Sequence, residues 1–581
     1  MPAQSTLTPK QRLAEAQTLV DAGDLEAAEE LLAALIAEET VPVDARVLHA
    51  RVLMRQERGG DALAAARDAL ARHPFDVRTT QLLAQFLLRL DVPAEALTYL
   101  DKAVAAFPDK PALRNLHAQA RLMTGDTAGA VEAIDAAIAL DPDSTAFRAA
   151  KVIYLIAAGR LDDARMERGA LDDDTAPLLA ILREWVFALL RARQRPLAIA
   201  LCDRAAELLP AQAGPWLWRA ELLIAENSHE DAITALGRSA RANEPMTPED
   251  VFRHARARGR ALRGTRELER AIEAFEEALA LRPEDESSLR DLYVLYLQTD
   301  HPEAMRRCGL KLSEVGSRGL PRTLARGLER LKGRKPPPTI WNERTRWAWE
   351  IADKSVWSEE AWLERLHWGQ NADALLRDWW LCAGARASEI DALITREPET
   401  AIDQLPEGAR CVAVTTHMGP LACGVRYMQT CGRPFRGFGF AGPDPVVEGE
   451  APMRISSRGN SSLRSLFAEI ERGTLIGFAA ESPDNGGHNL EFDFLGRKIT
   501  LATFVPRIIH RLKTHSLWWH ALWRDGRVVM ELERLPDPQD GETVDDWCER
   551  WALAYLARIE RVMRGAPENL NLGHGIWRNV D

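Results

Sequence analysis

Residues 125–144 read GDTAGAVEAIDAAIALDPDS, and residues 266–287 read RELERAIEAFEEALALRPEDES. Each sets a small alanine, Ala130 or Ala271, ahead of apolar residues at helical spacing, and each closes on a proline, Pro142 or Pro283. Such spacing marks a helix with one buried face. Proline ends it, because its ring clashes with the preceding turn and it has no N–H to donate. Outward from these two stretches the alanine recurs at Ala28, Ala62, Ala96, Ala130, Ala164, Ala198 and Ala232, always 34 residues apart, and then at Ala271 and Ala304 after steps of 39 and 33. Pro74, Pro108, Pro142, Pro177, Pro210, Pro245 and Pro283 run alongside. A fixed period means one repeated supersecondary unit. A single helical hairpin cannot bury its apolar face alone, so the units must stack.

The segment resembles the tetratricopeptide repeat family over about residues 10–330, with some nine units. The resemblance implies an all-α solenoid over residues 1–331 whose concave surface takes a protein partner. An irregular helical bundle is the alternative, and it would have to place seven alanines in strict register by accident.

At 581 residues the chain exceeds what one core supports. Its charged fraction of 28 % and hydrophobic fraction of 46 % are those of an ordinary soluble protein. A net charge of -12 argues against nonspecific nucleic-acid binding. The seven cysteines are scattered and form no CxxC pair, so neither a disulfide framework nor a zinc site is indicated. MPAQSTLTPKQR at the start lacks the apolar core of a signal peptide, and no apolar run approaches the roughly 20 residues needed to span a bilayer. The expectation is a cytoplasmic chain, peripheral at most on the inner face of the cell membrane.

Lys332-Gly333-Arg334-Lys335-Pro336-Pro337-Pro338 reads as a stiff, proline-rich linker. Beyond it the 34-residue period stops. Trp341, Trp347, Trp349, Trp357, Trp362, Trp368, Trp379 and Trp380 follow, either as membrane-interface residues or as packing for a core. From about Glu407 the pattern alternates. CVAVTTH, TLIGFAAE, SLWWHALW and RVVMELERL predict strands, and SSLRSLFAEIERG, TLATFVPRIIHRL and residues 544–564 predict helices. That alternation predicts a mostly parallel, three-layer α/β domain over residues 339–581, with its site at the C-terminal ends of strands.

Two blocks there carry candidate chemistry. In Thr415-Thr416-His417-Met418-Gly419-Pro420-Leu421, His417 leaves a buried strand as a candidate general base, and Gly419 permits close backbone approach to a substrate. A structural histidine at a strand end is the plainer reading. In the block from Arg458 to Thr500, an apolar strand ends in Glu481 with Asp484 close behind, which is also strong turn chemistry. The GxGxxG match at residues 437–442 runs into Pro-Asp-Pro rather than a helix, which excludes a dinucleotide site. His510, His515 and His520, five apart, read as structural.

Together these blocks resemble the late acyltransferases of lipid A biosynthesis, within the lysophospholipid acyltransferase superfamily. The features that carry the resemblance are His417-Met418-Gly419, Arg458, the helix from Leu463 to Gly473, Glu481, Phe494-Leu495-Gly496-Arg497 and Thr500, over about residues 340–581. It implies an acyltransferase that moves a fatty acyl group from acyl carrier protein or coenzyme A to a hydroxyl of a glycolipid or a capsular or other cell-surface saccharide. It needs no cofactor or metal. His417 would be the base, with Glu481 as its acid and Gly419, Arg458, Asp484 and Arg497 at the substrate. The chain departs from the family at one place. The acid that follows the histidine after four intervening residues is Ala422 here. Either Glu481, Asp444, Asp484 or Glu448, in that order of preference, takes its place, or the domain is a retired acyltransferase acting as a lipid- or saccharide-binding adaptor in envelope polysaccharide assembly.

Overall fold

The computed structural model describes residues 8–573 apart from 39–40, 75, 170–175, 383–386, 397–401, 404, 406–408, 439–453, 456–459 and 482–488. Arg458, Asp484, Asp444 and Glu448 therefore lie outside the described residues.

The repeat forms as its period demands. Among the described residues nine helical hairpins follow one another, from Pro9–Ala22 with Leu25–Ile36 to Glu286–Gln298 with Pro302–Ser317. In the second helices Leu25–Ile36, Gly59–Arg72, Pro93–Ala106, Thr127–Leu140, Leu161–Gly169, Arg195–Leu208, His229–Ser239 and Leu268–Leu281, the periodic alanine is the fourth residue. Every one of these eight, Ala28 to Ala271, is completely buried. A methyl group is all that the close approach of neighbouring helices admits, and in a close-packed interior even one methylene more is felt. Ala304 departs from the rule. It is third in Pro302–Ser317 rather than fourth, so it sits one helical position out of phase and is only partly covered. The prolines stop helices as expected at Pro74, Pro108, Pro142, Pro210 and Pro283, whereas Pro177 falls in the first turn of Ala176–Arg191. There proline is tolerated because the first-turn N–H has no partner inside the helix.

The chain divides into two compact units, Met1–Leu281 with Lys335–Ile340, and Arg282–Arg334 with Trp341–Asp581. The division differs from the one drawn on composition. The ninth hairpin groups with the α/β unit, where Leu324 and Leu328 of helix Leu324–Leu331 join a core with Leu376 and Trp379. Part of the proline run is no free spacer either. The Lys335 N–H donates to Asp61 Oδ1 at 2.9 Å inside the first unit.

Among the described residues the second unit is built on a mixed seven-stranded sheet. Its strands are β1 (Ile394–Thr395), β2 (Cys411–Thr415), β3 (Phe435–Phe438), β4 (Arg454–Ile455), β5 (Leu475–Ala479), β8 (His515–Arg524) and β9 (Arg527–Arg534), in the order β1-β9-β8-β2-β5-β3-β4. Every pairing is parallel except the β8–β9 hairpin. Strand side chains alternate between faces, and the tryptophan-rich β8 shows what each face meets. Trp519, Ala521 and Trp523 share a core with Trp379, Ala422 and Cys423 of helices Glu359–Cys382 and Leu421–Gln429. On the other face, the Trp518 ring centroid lies 5.7 Å from that of Tyr555, on the last helix, Val544–Arg564. Helices thus cover both faces.

The expectation of a helix from Thr500 is corrected. Residues 497–502 form β7 (Arg497–Ala502), paired antiparallel with β6 (Asn489–Phe494), and the helix begins at Phe504. Leu495 and Gly496 both take positive φ, the geometry of a tight hairpin turn, so Phe494-Leu495-Gly496-Arg497 closes a hairpin. The tryptophans pack inward. Trp347, Trp362 and Trp379 are buried and the other five half-buried, so packing against the protein accounts for most of their surface. No described helix is long and apolar enough to cross a membrane.

Candidate active site

The parallel pairing of β2 with β5 sets Thr415 opposite Ala479. Two residues further along each chain stand His417 and Glu481, so the register itself brings them to the same edge of the sheet. Glu481 is fully buried and ringed by donors. Its Oε1 accepts from the Thr416 hydroxyl at 3.0 Å and from the His417 backbone N–H at 2.7 Å, and lies 2.8 Å from His417 Nδ1. The Tyr555 hydroxyl is 2.6 Å from Oε2 and 2.8 Å from Thr415 O; its single proton serves one of them at a time.

An oxygen that already accepts from the Thr416 hydroxyl and the His417 amide carries no proton itself. Burial would push the Glu481 pKa up. The hydrogen bond and charge of His417, with help from Tyr555 and the His417 amide, outweigh burial and hold it below the ordinary carboxylate range. Tyr555 is driven the other way, well above the usual phenol value, by burial and by the neighbouring carboxylate, so it stays a neutral donor. With an ionised carboxylate at Nδ1, that nitrogen holds the ring proton and Nε2 is left as the acceptor. The His417 side chain keeps 30 % of its surface accessible, so it can meet a substrate that Glu481 cannot.

The turn after His417 is clamped. Gly419 has φ +64°, and its N–H donates to Asn569 O at 2.7 Å. The Asn569 side chain is itself held by the Trp523 backbone, accepting from its N–H at 2.7 Å and donating to its carbonyl at 3.2 Å. The Gly419 amide is therefore occupied by Asn569 O rather than turned to a substrate. Arg497 is also engaged elsewhere, paired with Glu343 at 3.0 Å and lying over the Trp347 ring. Ala422 is buried among apolar neighbours, and among the described residues Glu481 is a carboxylate that reaches the histidine. Thr416, Tyr555 and Asn569 were not singled out in the sequence. Thr416 adjoins the histidine, but Tyr555 reads there as one more apolar position of an amphipathic helix.

Behind the site His520 is 1 % exposed, and burial lowers its pKa to about 3. A histidine held neutral in the fold is stable above its unfolded value and loses that stability as pH falls, because the unfolded chain takes up the proton first. The loss starts near pH 6.5 and grows by up to about 1.4 kcal/mol per pH unit. Glu481, depressed in the fold, adds a further loss only as pH drops below the ordinary carboxylate value. Urea unfolding at pH 7, 6 and 5 is expected to show a shallower decline for His520→Phe than for the wild type. Equal slopes would remove His520 from the account.

Comparison with known proteins bears on both units. Tetratricopeptide repeat models match residues 47–111, 115–173 and 257–285. The Vi polysaccharide export protein VexE of Salmonella typhi is 29 % identical over 272 residues, which is 45 % of this chain and 40 % of that protein. The match thus spans less than half of that relative's length. Among solved structures, a tetratricopeptide repeat protein from Parabacteroides merdae is 17 % identical at a TM-score of 0.31, covering 49 % of this chain and 98 % of its own. A thermophilic tetratricopeptide repeat protein of Thermus thermophilus is 22 % identical at 0.26, covering 32 % and 100 %.

Proposed function

We propose that the α/β unit is an O-acyltransferase acting on a cell-surface saccharide or glycolipid, and that the repeat array recruits a protein partner to it. The observation that carries this reading is the 2.8 Å contact of His417 Nδ1 with a buried, ionised Glu481 at the sheet's edge. It is the arrangement a general base requires: a ring nitrogen fixed by a carboxylate, on a side chain that keeps 30 % of its surface accessible. His417 Nε2 takes the proton of the acceptor hydroxyl as its oxygen attacks the thioester carbonyl of an acyl-carrier-protein or coenzyme A donor. The carbon–sulfur bond then breaks, and the departing thiolate receives that proton. Glu481 stabilises the charged imidazole in between and stays ionised. The step needs no metal or cofactor. A relative named for polysaccharide export favours a capsular saccharide as acceptor.

One observation favours a second reading. The Gly419 amide, on the turn where the substrate was expected to approach, is lost to Asn569 O. A retired acyltransferase fold that binds lipid or saccharide as an adaptor would tolerate that loss. The enzyme reading predicts that surface saccharide from cells carrying His417→Ala loses its ester-linked acyl groups, read by mass spectrometry before and after mild alkali. Acyl groups at the wild-type level in that variant would refute it.

A further inference from the structure

The proline run belongs in part to the repeat unit, as Lys335–Ile340. It lies against the second hairpin, at the head of helix Gly59–Arg72. Three observations there agree. The first is the room that Gly60 leaves for backbone. A Cβ at that position would overlap the Lys335 carbonyl oxygen and lie 2.7 Å from that of Pro336. Neither atom is the yielding end of a side chain, so only glycine admits the segment. The second is the one available donor. Prolines have no N–H, so Lys335 carries the only backbone donor between Lys335 and Pro338, and Asp61 Oδ1 accepts it at 2.9 Å. Asp61 is held for this by Arg58, whose Nε donates to Oδ2 at 2.9 Å. The third is the helix end itself. Arg58, its N-cap residue, gives it no side-chain capping bond. First-turn N–H groups have no partner within a helix and form its positive pole, so carbonyl oxygens are favoured there. Lys335 to Pro338 are half-buried, while Gly333 and Thr339 on either side are exposed.

We propose that Gly60 and Asp61 form a receptor for a short strand of the pattern X-Pro-Pro-Pro, filled in this chain by its own Lys335–Pro338. The proline run is then a releasable clasp on the repeat unit rather than a spacer. The fixed φ of three prolines leaves little conformational freedom to lose on docking. Released, the run is the stiff linker that its composition suggests. The inference stands apart from the acyl-transfer reading, since it shares no residue with the His417 site.

The test is amide hydrogen exchange at Lys335 in the full chain, followed by NMR with lysine-selective ¹⁵N labelling. Gly60→Leu, which fills the notch with a good helix former, is expected to speed that exchange about tenfold or more, and so is Asp61→Ala, which removes the acceptor without crowding. Gly237→Leu is the control, a helical glycine whose Cβ would meet nothing within 4 Å, and is expected to leave it unchanged. Circular dichroism reports whether each variant is folded. A second arm supplies the strand from outside. A synthetic peptide of residues 333–341 is titrated into a full chain whose Pro336, Pro337 and Pro338 are replaced by glycine. It is expected to bind at millimolar concentration or below, the range that a strand docked within its own chain implies, and about tenfold or more weakly once Gly60→Leu is added. Lys335 exchange in the folded wild type as fast as in Gly60→Leu would overturn the proposal. So would peptide binding indifferent to Gly60→Leu, or no binding up to millimolar peptide.

Discussion

Glu481→Ala is expected to cost about 3–5 kcal/mol of folding stability, the loss typical when one partner of a buried charged pair is removed. The carboxylate is the acceptor for the Thr416 hydroxyl, the His417 amide and ring, and the Tyr555 hydroxyl. Alanine leaves these donors facing a void that water cannot easily fill. Glu481→Gln separates structure from charge. Its carbonyl oxygen can stand where Oε1 stands, and its NH₂ can donate to Tyr555, whose proton then turns to Thr415 O, 2.8 Å away. The glutamine variant is therefore expected to fold with a loss of about 1–2 kcal/mol. Acyl transfer should nonetheless fall by roughly 10²-fold or more, because a neutral amide does not stabilise the imidazolium. Urea unfolding and initial rates measure the two effects separately. An alanine variant within about 1 kcal/mol of wild type would mean that the network is not a structural unit.

Gly419→Ala is expected to be comparably severe, on the order of 3–5 kcal/mol. A Cβ there would lie 2.2 Å from Ala521 O, far inside contact distance, and the φ of +64° is itself strained for any residue with a side chain. Relief requires the turn to move, which breaks the Gly419 N–H bond to Asn569 O and shifts His417. Gly432→Ala is the control, since it also has positive φ, at +85°, but meets nothing within 4 Å. It is expected to cost only the backbone part, about 1–2 kcal/mol. Equal losses at the two positions by thermal unfolding would show that the approach to Ala521 does not matter.

How much of this was legible in the sequence depends on how local the cause is. The repeat could be read because each alanine answers to neighbours one hairpin away, and the eight in phase are all fully buried. Ala304 continued the count by sequence and broke it by phase, a difference of one position that spacing of 33 rather than 34 already contained. β2, β5, β8 and β9 announced themselves as short apolar runs between turn residues. β7 did not, because Thr500, Leu501, Ala502 and Val505 fit a helical stripe as well as a strand, and the two-residue turn at Leu495-Gly496 decides between them. Glu481 leads the candidate acids for His417 in the sequence because it ends an apolar strand, but the choice rests on which strands pair, and pairing is nonlocal. The contribution of Tyr555, from 74 residues beyond Glu481, and that of Asn569 follow from tertiary packing and leave no local signature.

The most direct measurement is acyl transfer by the purified full chain, using acyl-coenzyme A or acyl carrier protein carrying a labelled acyl group and saccharide acceptor extracts. The wild type is predicted to release thiol only when acceptor is present and to move the label into an alkali-labile ester, with His417→Ala, verified as folded, slower by about 10²–10⁴-fold. Thiol release by folded wild type no faster than by His417→Ala, with no label on any acceptor, would contradict catalysis and leave His417 as a binding residue in an adaptor.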